Sequence, residues 1–308
     1  MGIELVKIIL LTLPYLIANS TTDTAQSKAA EILEKTEIVA TAPHGMEALV
    51  DPYTATEGSE KTMAFGSVIS ILQRQLQSEA SNGWPLACIP RIFKSTPPAE
   101  SNGNGDANGG SHEAPTKHAY PTINIPSPVT AGPRALFPEI YFSLYADQEI
   151  ESVPPTSNIA SSLVRDSLVD TVNILDYNRN ATARFLTELD NFWAPGTFTR
   201  RETQFDRLRD YEGDASTWKP EDVAIDAVFS QIFQLPASQH RLVYYHSVIT
   251  EVCKLSPSAI APSLGRAIRF LYRSIDNMDL ELHYRFMDWF AHHLSNFEFR
   301  WKWSEWSA

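Results

Sequence analysis

Cysteine is scarce in this chain: Cys88 and Cys253 are the only two in 308 residues. Two thiols cannot build a disulfide framework, and their separation lacks metal-ligand spacing. That usage fits a reducing compartment, cytosol or nucleus. Basic clusters are missing as well. The formal charge is −12 and the isoelectric point about 5.1, which argues against wholesale binding to a phosphate backbone. From Pro220 to the end, ten acidic residues face eight Lys or Arg. No apolar run is long enough to span a membrane.

Catalytic signatures are also absent. The chain has no G-x-S-x-G elbow, no H-E-x-x-H and no EF-hand loop. GNGDANGG resembles a phosphate loop only in its glycines, because no Lys-Ser/Thr follows and no strand–helix context surrounds it. His292 and His293 are neighbours, so on a helix they point about 100° apart. Zinc prefers i and i+4 on one face, and His283 does not complete a set. Asp276, Asp279 and Glu281 sit at a loop and helix start, where capping and the helix dipole account for them. Cys253 reads as a core thiol. No residue set supports catalysis, a metal or a cofactor, and the expectation is a protein that is not an enzyme.

What is present is helix. Leu5 to Ala18 is nearly all apolar, interrupted by Lys7, Thr12 and Pro14. It lacks the basic start of a signal peptide and reads as a buried helix. A secreted protein with a cleaved N-terminal segment is the alternative, and sequons at Asn19 and Asn180 would matter only then. Ala25 to Ile38 forms a second helical segment. Residues 1–50 read as the end of a first helical-repeat domain, and 51–62 as a polar connector. Residues 63–308 read as a second helical-repeat domain. Within it, Val68, Ile71, Leu72 and Leu76 recur at helical spacing. Residues 95–133 are rich in Gly, Asn and Pro and are expected to form a disordered loop.

From Ser157 the pattern is regular. Helices are expected at about 158–176 and 179–192. Pro220, Glu221 and Asp222 then mark a helix start, with proline in the first turn and acids facing the positive dipole end. Further helices are expected from about 239, 258 and 279. Starts about twenty residues apart make hairpins of about forty, the period of HEAT-like repeats. The expected fold is all-α, a helical-hairpin solenoid of the HEAT or ARM-repeat type.

The chain ends on RFMDWFAHHLSNFEFRWKWSEWS, which holds four of its seven tryptophans. Exposed, this cluster would exceed the roughly 300–600 Å² apolar patch that monomers tolerate. It therefore either closes a core or docks a partner, and an ending placed on it suggests a cut chain. Phe297, Phe299, Trp301 and Trp303 alternate with Glu298, Arg300 and Lys302, so an extended segment folding back over the last hairpin is expected. Arg300, Trp301, Lys302, Trp303 and Trp306 are the candidate partner or domain-junction surface. Direct single-stranded RNA stacking through Arg300, Trp301, Lys302 and Trp303 is an open alternative.

Two stretches carry a resemblance. AIDAVFSQIFQLPASQHRLVYYHSVITEVCKLSP and RFMDWFAHHLSNFEFRWKWSEW resemble the family of large subunits of the nuclear cap-binding complex. The long W-F-x-H-H-L-S-N-F-x-F-R-W-x-W-x-x-W run is the more specific of the two. Weaker similarity extends through Gly132-Pro133-Arg134, the helix from Ile71 to Trp84, and KIILLTLPYLIA. The resemblance implies consecutive all-helical domains related to the middle domain of initiation factor 4G. It implies a non-enzymatic nuclear scaffold, shuttling to the cytoplasm and free of membranes. Its partner would be a small subunit with an RNA-recognition fold, through which capped RNA is bound indirectly. Processing and export factors would be recruited for splicing, export and decay. The chain departs from the family in lacking most of the first domain, all of the third, and the basic N-terminal targeting segment.

Overall fold

The structure is a computed structural model that describes residues 2–20, 24–53, 66–91, 137–145, 148–211, 213 and 215–305. The expected loop at 95–133 and most of the connector lie outside the described residues. Among the described residues there are nine α-helices and no β-strand, so the fold is all-α. Two isolated antiparallel bridges, Tyr53 with Met278 and Ser67 with Ile140, tie loops to the helices. No described helix is long and apolar enough to cross a membrane.

α1 (Ile3–Asn19), α2 (Thr24–Thr41) and α3 (Val68–Ser81) pack together. Leu10, Leu13, Ala29, Leu33, Leu72 and Leu76 meet between them. One polar side chain sits at the centre of this layer. Gln73 is fully buried, donates to Leu33 O at 2.9 Å and accepts from Thr36 Oγ1 at 3.1 Å. Gln75, two residues on and facing the other side of α3, donates to Thr156 O at 2.7 Å and Ser161 Oγ at 2.8 Å. It thereby joins α3 to α4 (Ile159–Ile174).

α5 (Arg179–Thr187), α6 (Pro220–Ile232), α7 (Leu242–Leu255), α8 (Pro257–Ser274) and α9 (Leu280–Asn296) follow. α5 ends earlier than its pattern predicts, and Leu189–Phe192 continues as a 3-10 turn. α7 begins about three residues late. Side chains take the backbone groups ahead of it: Ser238 Oγ donates to His240 O at 2.7 Å, and His240 N donates to Tyr245 Oη at 3.3 Å. Such local bonds compete with the helix ladder.

α6 is the centre of the molecule. Twelve of its thirteen residues are buried, three acids among them. The sequence pattern places Glu221 and Asp222 at a helix start, facing the positive end of the helix dipole. In the structure both are buried and ion-paired. Glu221 faces Lys219 at 3.2 Å and accepts from Glu202 N at 2.6 Å. Asp222 pairs with Arg266 of α8, whose guanidinium lies 4.3 Å from the Phe205 ring centroid. Asp226 pairs with Arg165 of α4 and accepts from Ser143 Oγ at 2.9 Å and Leu144 N at 2.7 Å. The segment 137–145 has no helix of its own, and these bonds hold it against α4 and α6.

Candidate docking surface at the C-terminal aromatic segment

α9 starts where acids predict it: Asp279 is the N-cap and accepts from Glu281 N at 2.9 Å. Its inner face buries Leu282, Phe286 and Trp289. Trp289 is fully buried, 4.7 Å edge-on to Phe229 of α6 and stacked 5.3 Å from His293. Arg285, also on the inner face, turns toward the loop after α6. It donates to Ile232 O at 3.0 Å, Gln234 O at 2.8 Å and Pro236 O at 2.8 Å, and pairs with Glu281 at 2.9 Å.

Beyond Asn296 the expected extended segment is not found. Phe297 N and Phe299 N both donate to Leu294 O, at 3.1 and 2.9 Å, and Glu298 and Phe299 adopt left-handed φ of 56° and 57°. This is a tight reversal of the kind that closes helix C-termini, here without glycine. The reversal splits the aromatics that period two puts on one face. Phe297 packs on His293 at 4.7 Å, and Trp301 returns edge-on to Phe290 at 5.7 Å. Phe299 and Trp303 are exposed instead, with Trp303 Nε1 donating to Phe299 O at 3.2 Å.

The predicted surface residues therefore separate. Trp301 is half-buried, and the Arg269 guanidinium of α8 lies 5.7 Å from its ring centroid. Arg300 is exposed and pairs with Glu298 at 2.7 Å. An ion pair this exposed contributes little to stability. Lys302 and Trp303 are exposed, and Trp306 lies outside the described residues. A groove of about 450 Å³ runs between this returning segment and α8, lined by Ala261, Gly265, Ile268, Phe297 and Trp301 among others. The α8 side was missed from sequence. Its signal is Ala261, Gly265 and Arg269 at i, i+4 and i+8, one position along from the core stripe Ile260, Leu264 and Ile268.

The histidines beneath this surface are packing groups. The His246 ring of α7 lies 5.4 Å from that of His292. Burial, reinforced by the His292 imidazole, pushes His246 and His293 down to about 4. Between that value and the ordinary 6.5 the unfolded chain binds more protons than the native one, so each group lowers stability as pH falls through this window. For His246 alone the loss between pH 7 and pH 5 is about 2 kcal/mol. Asp166, pushed up to about 6 by burial against the opposing pull of Lys7, acts in the opposite sense. The check is therefore a difference. Urea midpoints of wild type and His246→Gln at both pH values should show a smaller acid loss in the variant, and equal losses refute the assignment.

Both thiols are buried, and burial pushes Cys88 and Cys253 up to about 12. Neither supplies a thiolate nucleophile near neutrality. Among the described residues no group of three His, Cys, Asp or Glu is arranged to hold a metal.

Comparison with known proteins matches residues 154–308 to the MIF4G-like family. Nuclear cap-binding protein subunit 1 of Schizosaccharomyces pombe is 31% identical over 305 residues, 99% of this chain and 37% of its own length. Nuclear cap-binding protein complex subunit 1 of Saccharomyces cerevisiae is 41% identical over 159 residues, 51% of this chain and 18% of its own. Nuclear cap-binding protein subunit 1 of Homo sapiens is 43% identical over 83 residues, 27% of this chain and 10% of its own. The chain thus spans far less than two thirds of these relatives.

Proposed function

Because the chain belongs to the MIF4G-like family and its relatives are nuclear cap-binding subunits, we propose that it is scaffold from the large subunit of a nuclear cap-binding complex. The observation that carries this reading is the 31% identity extending over 99% of the chain. The all-helical fold supports it, since stacked hairpins present broad surfaces to partners. On this reading the protein is nuclear and shuttles to the cytoplasm. It steadies a small subunit of RNA-recognition fold, which holds capped RNA. It recruits splicing, export and decay factors, and catalyses nothing itself. Residues 1–50 close a first helical-repeat domain and 63–308 form a second, with α1 and α2 reaching across the connector onto α3.

The segment carrying Arg300, Trp301, Lys302 and Trp303 is the proposed partner or junction surface. Direct stacking of single-stranded RNA is the second reading, favoured by the exposure of Phe299 and Trp303. Against it, the Trp301 ring is already in contact with Arg269 and Phe290, and stacking platforms need open faces.

Co-expression with the matching small subunit, followed by capture on cap-analogue resin, tests the scaffold reading. The chain is expected to elute with the small subunit on free cap analogue. A small subunit that is retained while the chain stays in the flow-through rejects it.

A further inference from the structure

The groove beside α8 combines three properties that point to a class of occupant. Its floor is made of small residues. Ala261 and Gly265 leave the helix surface low, and the concavity continues for about 570 Å³ past Arg269 and Lys302. Gly265 keeps this floor low: a Cβ there would lie 3.1 Å from Arg269 Nη1, a tight contact that the guanidinium could relieve only by shifting by a few tenths of an ångström.

Its rim is basic. Arg269, Arg300 and Lys302 line the two connected concavities, and Glu298 is the one carboxylate among the described lining residues. This is a local inversion in a chain of formal charge −12. Arg300 holds Glu298 only through an exposed contact, which a competing carboxylate can replace. The wall opposite the floor is aromatic: the half-buried Phe297 and Trp301 line it. Aromatics and arginine are the residue types enriched where interfaces concentrate binding energy.

We propose that this groove receives a short acidic, aromatic-bearing peptide segment of a partner protein. The inference rests on the docking reading of the same surface and specifies its ligand. A long polyanion is disfavoured, because the net negative charge of the whole chain opposes it and the basic track is only three residues long. A short acidic segment brings few charges, finds the local cations, and seats an apolar side chain on the Ala261–Gly265 floor.

The test is fluorescence anisotropy on the full chain. The probes are a labelled peptide of alternating glutamate and phenylalanine, its lysine counterpart, and an oligouridylate. The acidic peptide is expected to bind at least about tenfold more tightly than either control, and more weakly at high salt. Arg300→Glu combined with Lys302→Glu is expected to weaken it about tenfold, and Gly265→Leu, which fills the floor, by a similar factor. Circular dichroism should show native helix content in each, and the exposed Arg300 and Lys302 changes keep the test valid if Gly265→Leu unfolds. Equal or tighter oligouridylate binding overturns the proposal. So does acidic-peptide binding that is absent or indifferent to the charge reversals. The two readings fail separately. The peptide pattern without small-subunit capture overturns the scaffold assignment alone, and capture without the peptide pattern overturns the groove alone.

Discussion

Asp226→Ala is expected to remove about 3–5 kcal/mol of stability, because it strands a buried arginine. Asp226 is 2% exposed, and the Arg165 side chain is largely buried at 14% exposed. With the carboxylate gone, Arg165 keeps only neutral acceptors: Phe142 O at 2.5 Å and Tyr141 Oη at 3.2 Å. Its guanidinium also stays over the Tyr141 ring, 4.2 Å from the centroid. Ser143 Oγ and Leu144 N lose their acceptor in the same step, so the segment 137–145 loses one of its anchors as well. Urea unfolding followed by tryptophan fluorescence measures the loss. The double variant Asp226→Leu with Arg165→Leu should be less damaged than the single one, because the cost lies in the uncompensated charge. A single-variant loss below about 1 kcal/mol contradicts this account.

The second large effect is expected at Arg285. This side chain satisfies three carbonyls of the turn that links α6 to α7, two through Nη1 and one through Nη2, a planar fork that a lysine ammonium does not reproduce. Arg285→Ala leaves them buried or forces water in, at about 1–3 kcal/mol for each group that stays unpaired. A total of about 3–5 kcal/mol is expected, with Arg285→Lys recovering less than half. The damage should also be local. Limited proteolysis is expected to cut the variant between Ile232 and Arg241 before anywhere else in α6 or α7, since weakly held segments open first. Wild-type stability in Arg285→Lys rules the explanation out.

These two effects could not be read from the sequence, although much of the frame could. α8 and α9 were legible because one face of each is apolar at helical spacing, and the structure buries Ile260, Leu264, Ile268, Leu282, Phe286 and Trp289 accordingly. α1 was legible as a helix despite Pro14, because its apolar run needs a core on one side only. Asp226 gave no signal: a lone acid in an apolar helix looks like an interruption until its partner, sixty-one positions away, is known. The alternation from Phe297 to Trp303 was a true pattern with the wrong cause. Four aromatics at period two imply a strand only if the backbone stays extended, and the left-handed pair Glu298–Phe299 breaks that condition. On the candidate surface Arg300 to Trp303 were visible as composition, whereas Gly265 and Arg269 belong to it only through the tertiary return of Trp301 to α8.

The burial of α6 on all sides bears on how the molecule comes apart. In an idealised repeat array each hairpin contacts only its neighbours, so end units can fray or be trimmed while the rest persists. Here one helix is bonded at once to α4 through Asp226, to α8 through Asp222, and to α9 through Phe229 and Trp289. Peeling away the last hairpin would leave Asp222 without its guanidinium and Phe229 without its tryptophan. Melting should accordingly be a single cooperative event across α4 to α9, with fluorescence and helix signals coinciding, and not a progressive unzipping from either end.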